Sequence, residues 1–213
     1  MKTDDLISML AAGDSRLAGP PPGRRYAMAC SLGALAAGLM MLALLQPRHD
    51  LLQAIFLPMF WVKVGFVLSL AGASLFAVLR LSRPGARLDG IASLLAVPVL
   101  AIWGLAAYAL IDSAPAERAR LFFGDTWTVC PFLIALLSVP VYFAVFKVMQ
   151  GMAPTRPRLA GFASGLLAGA IAAAVYCLHC PEMGAPFIGF WYLLGMLAPA
   201  LFGAWQGHSR LRW

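Results

Sequence analysis

The stretch Tyr26–Leu45, YAMACSLGALAAGLMMLALL, decides the fold class, because it holds twenty residues without a charge. At about 1.5 Å per residue, a helix of this length matches the roughly 30 Å hydrocarbon core of a bilayer. The stretch begins only after Arg24 and Arg25, behind a polar and Pro-rich segment, which is unlike the start of a cleaved signal peptide. It therefore predicts a permanent transmembrane helix.

Further apolar stretches of similar length follow the first. They are Pro58–Leu81, Ile91–Ile111, Pro131–Val148, Leu159–Cys177 and Pro186–Trp205. The chain of 213 residues is 62% hydrophobic and only 12% charged, which leaves too little polar surface to cover a soluble globule. We expect an all-α integral membrane bundle of six transmembrane helices over residues 23–213, with both termini on the same side of the membrane.

The distribution of positive charge predicts which side that is. Of the 16 Lys and Arg residues, twelve fall in segments on the side of the termini. The remaining four are Arg48, Lys63, Arg118 and Arg120. Cytoplasmic loops carry the excess of Lys and Arg, so we expect both termini in the cytoplasm.

We expect Lys63 to extend its long side chain to the membrane interface beside Trp61. The basic residues follow the ends of the spans, which is a topology signal, so we expect no nucleic-acid partner.

Residues 1–22 form a separate segment, and the Pro-rich spacer Gly19–Gly23 leads from it to the first span. The first twelve residues predict a short amphipathic helix with a capping residue, two early acidic residues and an apolar face. These positions are Thr3, Asp4, Asp5, Leu6, Ile7 and Leu10. So short a helix is unstable alone in water, which favours folding against a partner protein, the membrane surface or the cytoplasmic loops. A frayed tail is the alternative.

Groups that can carry chemistry are concentrated in Tyr176–Glu182, which holds two thiols, an imidazole and a carboxylate. Another thiol, Cys130, precedes a proline at the start of the fourth span, where the helix dipole favours a thiolate. Cys180 lies in the loop between the fifth and sixth spans. We rank Cys130 and Cys180 as a reactive pair on the outer face.

Other groups near this pair are weaker candidates. The accessory candidates are Cys177, His179 and Glu182, and the candidate ligands for an inducing metal are Cys130, Cys180 and His179. The spacing Cys177-x-x-Cys180 also fits a redox or zinc half-site, although one such pair is a weak signal. We expect Cys30, one turn into the first span on the cytoplasmic side, to be buried and inert.

The fifth span carries Gly161, Gly165 and Gly169 at intervals of four residues. Small residues at this spacing form a ridge that another helix can approach closely. We favour packing within one bundle over a dimer contact.

Several short motifs together resemble the NrsF-type family of six-pass bacterial anti-sigma factors, and the resemblance covers nearly the whole chain. The motifs are Lys2-Thr3-Asp4-Asp5-Leu6-Ile7, Trp61-x-Lys63, Thr126-Trp127-x-x-Cys130, His179-Cys180-Pro181-Glu182, Phe190-Trp191-Tyr192 and Arg212-Trp213. The resemblance implies a multi-pass protein of the bacterial inner membrane that holds an extracytoplasmic-function sigma factor inactive until an oxidant or a heavy metal arrives. It implies no enzymatic activity and no cofactor.

The same resemblance implies roles for particular residues. The two cysteines of the family match Cys130 and Cys180, whereas Cys177 departs from the pattern. The N-terminal helix is the candidate for sigma contact. We hypothesise that a metal bridges the two thiols, or an oxidant joins them, and that the resulting shift of spans four to six releases the sigma factor.

Two other functions compete with this one. Cys177-x-x-Cys180 also suits a membrane thiol oxidoreductase that reduces quinone, although such enzymes usually need two cooperating cysteine pairs on one face. A small metal transporter would use Met40, Met41 and the outer cysteines. Methionines in spans are more often packing residues, and the centres of the spans are uncharged, which argues against a transporter.

Overall fold

The protein is an all-helical bundle, seen in a computed structural model that describes residues 5, 8, 20–83, 85 and 89–211. The described helices are α1 (Pro22–Leu44), α2 (Leu51–Ala54), α3 (Pro58–Leu81), α4 (Ile91–Asp112), α5 (Pro115–Phe123), α6 (Cys130–Gln150), α7 (Pro157–Tyr176), α8 (Ala185–Phe187) and α9 (Leu193–Arg210). A π-helical stretch, Ile188–Tyr192, joins α8 to α9 into one continuous span.

Within the described part of the chain, six helical segments are long and apolar enough to cross a membrane, as the sequence predicts. They are α1, α3, α4, α6, α7 and the segment Ala185–Arg210. Their bounds agree closely with the predicted ones, but α1 begins at Pro22 rather than at Tyr26. Proline suits the first helical turn, because its missing N–H would have no partner there. The last residues of the predicted spacer therefore belong to α1.

Helix α7 lies at the centre of the bundle and packs against α1, α3, α6 and α9. Helix α4 lies at the periphery, and side chains such as Val97 and Leu100 are exposed along it. We call the end of the bundle that carries Cys130 and Cys180 the thiol end, and the other end, which carries Arg80 and Lys147, the basic end. Each end has its own cluster of buried apolar side chains.

Helices α7 and α9 meet along what we call the glycine seam, formed by Gly161, Gly165, Gly203 and Gly207. A β-carbon added at Gly165 would overlap the Pro199 carbonyl oxygen, and one at Gly161 would overlap that of Gly203. The two backbones are thus in direct contact, which only glycine permits. The predicted small-residue ridge is confirmed as a packing surface within the bundle.

Most of the predicted N-terminal helix lies outside the described residues, including Thr3, Asp4, Leu6, Ile7 and Leu10. Asp5 and Ser8 are described, and both are helical and exposed. The Ser8 hydroxyl donates to the Asp5 carbonyl oxygen at 2.9 Å, one helical turn away. The prediction that this segment binds a partner stays a prediction.

Candidate functional site

The structure brings together the two thiols that the sequence ranks as a reactive pair. Cys130 is the first residue of α6, and Cys180 lies in the loop after α7. Both side chains are fully buried, both thiols are free, and the Cys130 thiol hydrogen-bonds to the Cys180 sulfur. The pair therefore joins the start of α6 to the loop after α7 at the thiol end.

Lys63, in the second turn of α3, is the cation of this site. Its side chain is fully buried, and its Nζ donates to the carbonyl oxygens of Cys180 at 2.9 Å and Glu182 at 3.0 Å. The prediction that Lys63 reaches the membrane interface is wrong. The two loop carbonyls lie inside the bundle within reach of the ammonium group, and they replace the water that it would otherwise seek.

Tyr192 closes the site from the π-helical stretch. Its ring lies 5.4 Å from the Lys63 nitrogen, a distance at which a cation is attracted to the face of an aromatic ring. Its buried hydroxyl has no hydrogen-bond partner of ordinary length among the described residues, and it lies close enough to Cys177 and Cys180 for an electrostatic interaction. Thus Tyr192 covers both the ammonium and the sulfur atoms.

The electrostatic environment favours a thiolate at Cys180. The hydrogen bond from the Cys130 thiol lowers the pKa of Cys180 to about 6, although burial opposes the shift. The positive charge of Lys63 acts in the same direction as the hydrogen bond. The thiolate is therefore favoured at Cys180, in the loop, rather than at the helix N-terminus that the dipole argument favours.

The loop between α1 and α2 covers the loop that carries Cys180. The backbone N–H of Arg48 donates to Leu178 O at 3.1 Å, and the Arg48 guanidinium forms an ion pair with Asp50 at 2.6 Å. His179 Nδ1 lies 2.7 Å from the carbonyl oxygen of Gln46. Because a carbonyl oxygen only accepts, Nδ1 carries the proton. These contacts hold the two loops together.

Glu182 connects the Cys180 loop to the segment just before α6. Its Oε1 accepts from the backbone N–H of Asp125 at 2.8 Å. Gly124 makes this approach possible, since it has φ +56° and an added β-carbon would lie 2.6 Å from the Glu182 carboxylate. Only glycine readily combines this backbone angle with so close a neighbour. The loop is thus tied on one side to α3 by Lys63 and on the other to the start of α6 by Glu182.

An aromatic cluster lies beside Glu182 at the thiol end. It consists of Phe122, Phe123, Trp127, Phe190 and Trp191. The Trp191 indole donates to the carbonyl oxygen of Phe122 at 2.9 Å, which ties the sixth span to the end of α5. Side chains that are apolar with a polar edge suit a membrane interface.

The two remaining cysteines, Cys177 and Cys30, lie in different parts of the bundle. Cys177 is fully buried, and burial raises the pKa of Cys177 to about 12, which makes it a poor nucleophile near neutral pH. Cys30 is half-buried in the first part of α1, toward the basic end. No group of three or more His, Cys, Asp or Glu side chains among the described residues is arranged to hold a metal ion.

The predicted metal set of Cys130, Cys180 and His179 stays a prediction, and of these three side chains the structure brings the two cysteines together. His179 is turned toward Gln46, on the outer side of the loop. What remains is a two-sulfur pair without a third side-chain ligand among the described residues. Two thiolates can bridge a soft metal, but a closed structural zinc site needs four ligands.

Sequence reasoning missed Lys63, Tyr192 and Arg48 as parts of the site. One signal for Lys63 was present, because an ionisable residue inside an apolar span is by default a candidate for function. Tyr192 gave no signal beyond its place in an aromatic run. Its position depends on the π-helical turn, which the apolar pattern does not reveal.

The fold and the site define a class: a six-span membrane protein with a buried thiol pair that joins the start of one span to the loop after the next. The sequence matches the family described as negative regulator of sigma F, NrsF, over residues 10–213. It is 65% identical over 213 residues to the probable anti-sigma-F factor NrsF of Azospira oryzae, with 100% of both chains covered. It is 44% identical over 216 residues to the anti-sigma-F factor NrsF of Caulobacter vibrioides, again over 100% of both chains. No solved structure matches.

The chain belongs to the NrsF family of negative regulators of sigma F. Its relatives are anti-sigma factors, regulators rather than enzymes, which confirms the prediction of an anti-sigma factor.

Proposed function

We propose that this protein holds a sigma factor of the extracytoplasmic-function class inactive at the bacterial inner membrane and releases it when Cys130 and Cys180 react. The names of the relatives, which are anti-sigma-F factors, support a sigma factor as the partner, and the extracytoplasmic-function class is what the resemblance of the sequence motifs implies. The N-terminal segment at residues 2–12 binds the sigma factor. The inducers are oxidants and thiophilic heavy metals, and they act at the periplasmic face.

The observation that carries this proposal is the buried thiol pair. Cys130 begins α6 and Cys180 lies in the loop between α7 and α8, and the two thiols interact directly while both remain free. A bond between their sulfur atoms would change the relation of α6 to the loop after α7. A disulfide needs α-carbons about 4.4 to 6.8 Å apart, so a small movement of one segment is enough to form it.

Sidedness rests on charge. Arg80, Lys147 and Arg156 lie at the basic end, and the excess of Lys and Arg marks the cytoplasmic side. The thiol end is then periplasmic, where thiols are open to oxidation and where metals arrive first. Helix α1 begins at the end of the bundle opposite the thiols, and the proposed sigma-binding segment precedes it in the chain.

The test is sigma-dependent transcription in cells that carry a Cys130→Ser and Cys180→Ser double variant. We expect repression without inducer and no induction by peroxide or cadmium. Cys30→Ser is the matched control, because that thiol lies toward the basic end, and it should respond as wild type does. Normal induction in the double variant would contradict the sensing role.

Binding is tested separately by co-purification from native membranes. A sigma factor should be retained by the full-length protein and lost when residues 2–12 are deleted. The double cysteine variant should still retain it. Retention after the deletion would place the binding surface elsewhere on the cytoplasmic side.

A further inference from the structure

Lys63 is the only charged side chain among the fully buried residues in the described part of the chain. A buried ammonium group loses its hydration, which costs several kcal/mol unless other groups replace the water. Two backbone carbonyl oxygens, the ring of Tyr192 and the nearby cysteine sulfurs fill that role here. The position of this cation therefore depends on the loop that carries Cys180.

Arg48 provides a contrast at the same loop. Its guanidinium is neutralised by Asp50, with the closest atoms 2.6 Å apart. No carboxylate oxygen of the described residues lies within 4.0 Å of the Lys63 nitrogen. Within this site, the sulfur of Cys180 is thus the group that can supply a negative charge to Lys63.

Oxidation of the pair removes that charge. With hydrogen peroxide as the two-electron oxidant, the Cys180 thiolate and the Cys130 thiol form an S–S bond. The O–O bond of the peroxide breaks and yields one water and one hydroxide. The sulfur that faces Lys63 is then neutral and is drawn toward α6, because the β-carbons of a disulfide lie only about 3.8 Å apart.

We propose that Lys63 is the positioning residue that transmits the state of the thiol pair to α3. This inference rests on the proposed function. When the sulfur becomes neutral and the loop shifts, the ammonium loses its charge partner and the alignment of its two carbonyl acceptors. The Lys63 side chain then leaves the site toward water, and α3 moves with it.

Helix α3 suits this role because it spans both ends of the bundle. Near Lys63 it contributes Phe66 and Leu70 to the buried cluster at the thiol end, and farther along it contributes Val78 and Leu81 to the cluster at the basic end. It also packs along α7 and α4. A displacement of its first turns therefore reaches the cytoplasmic face through one continuous helix.

The first experiment uses the wild-type protein in lipid nanodiscs and needs no variant. A water-soluble amine-acylating reagent is applied before and after treatment with hydrogen peroxide, and peptides are quantified by mass spectrometry. We expect acylation of Lys63 to increase severalfold once the Cys130–Cys180 disulfide has formed. Lys147, which is exposed at the other end of the bundle, should be acylated equally in both states. Unchanged protection of Lys63 in the disulfide form would overturn the proposal.

The second experiment compares Lys63→Met with Lys63→Arg, in complex with the sigma factor that co-purifies with the wild-type protein. In the Met variant we expect peroxide to form the disulfide while the sigma factor stays bound. The Arg variant keeps the charge and should restore release. Release from the Met variant in step with disulfide formation would overturn the proposal. If the Met variant does not fold, the acylation experiment decides.

Failure of the proposed function looks different from failure of this inference. If the wild-type protein forms the disulfide and retains the sigma factor, the thiol pair is not the sensor. If the wild-type protein releases the sigma factor while Lys63 stays protected, the pair is the sensor and Lys63 does not transmit its state.

Discussion

The two halves of α7 are held in opposite ways. Near the basic end, the glycine seam places the backbones of α7 and α9 in direct contact. At the thiol end, the loop after α7 is held by hydrogen bonds to Lys63 and by the contact of Glu182 with Asp125. A backbone contact has one close-packed arrangement, whereas polar tethers can be released by a change in charge. The bundle thus combines a fixed seam with an end that can rearrange.

The largest expected effect comes from a substitution in the glycine seam. Gly165→Ala places a methyl group onto the Pro199 carbonyl and separates α7 from α9, which should cost about 3 kcal/mol. Thermal unfolding in nanodiscs, followed by circular dichroism, measures the loss. Gly72→Ala in α3 is the control, since an added β-carbon there meets nothing within 4 Å. Equal stability of the two variants would mean that the seam is not fixed.

A smaller effect is expected from a change at the polar half. Gly124→Ala combines strain at φ +56° with overlap of the Glu182 carboxylate, so we expect a loss of about 2 kcal/mol. The matched control is Gly90→Ala, which has φ +80° but no neighbour within 4 Å. Thermal unfolding of both variants separates backbone strain from the loss of the Glu182 contact. If the two losses are equal, Glu182 does not help to hold the loop.

The thiol end differs from the glycine seam in holding a thiol of lowered pKa, Cys180, and this predicts how its alkylation rate depends on pH. In a variant that lacks Cys30 and Cys177, alkylation of Cys180 by iodoacetamide should fall about tenfold per pH unit below its midpoint. The pKa of Cys180 is lowered to about 6, so the rate should level off above that pH. An ordinary thiol would instead continue to gain reactivity up to about pH 8.5. Mass spectrometry gives the rates, and a midpoint above 8 would contradict the thiolate.

The smallest effect concerns Ser74, which lies in α3 between the two ends. Its buried hydroxyl has no hydrogen-bond partner among the described residues, and it borders an apolar groove of about 260 Å³. Ser74→Ala removes an unpaired polar group, so stability should stay unchanged or rise by up to about 1 kcal/mol. A clear loss in thermal unfolding would reveal a hydrogen bond that α3 depends on.

The sequence predicts the spans well and the site only in part, for a physical reason. Long uncharged runs such as Tyr26–Leu45 predict transmembrane spans directly, because hydropathy is a local property of the sequence. The pairing of Cys130 with Cys180 was predicted from helix ends and charge. The contact of Lys63 with the carbonyl of Glu182 joins positions 119 residues apart, and no local pattern encodes it. The prediction that the Lys63 side chain extends to the membrane interface is wrong because it assumed that water is the nearest hydrogen-bond acceptor. The nearest acceptors are two loop carbonyl oxygens inside the bundle.

The π-helical turn at Ile188–Tyr192 leaves the sixth span with a particular vulnerability. A π turn holds one more residue than an α turn, and such turns inside α-helices are frequent at functional sites. Each residue of an α-helix advances the side-chain direction by about 100°, so deletion of a single residue here would rotate the span on one side of the turn by that angle relative to the other. Tyr192 and Trp191 could then no longer meet both of their present neighbours. The spacing of this short segment is thus constrained as strictly as its composition.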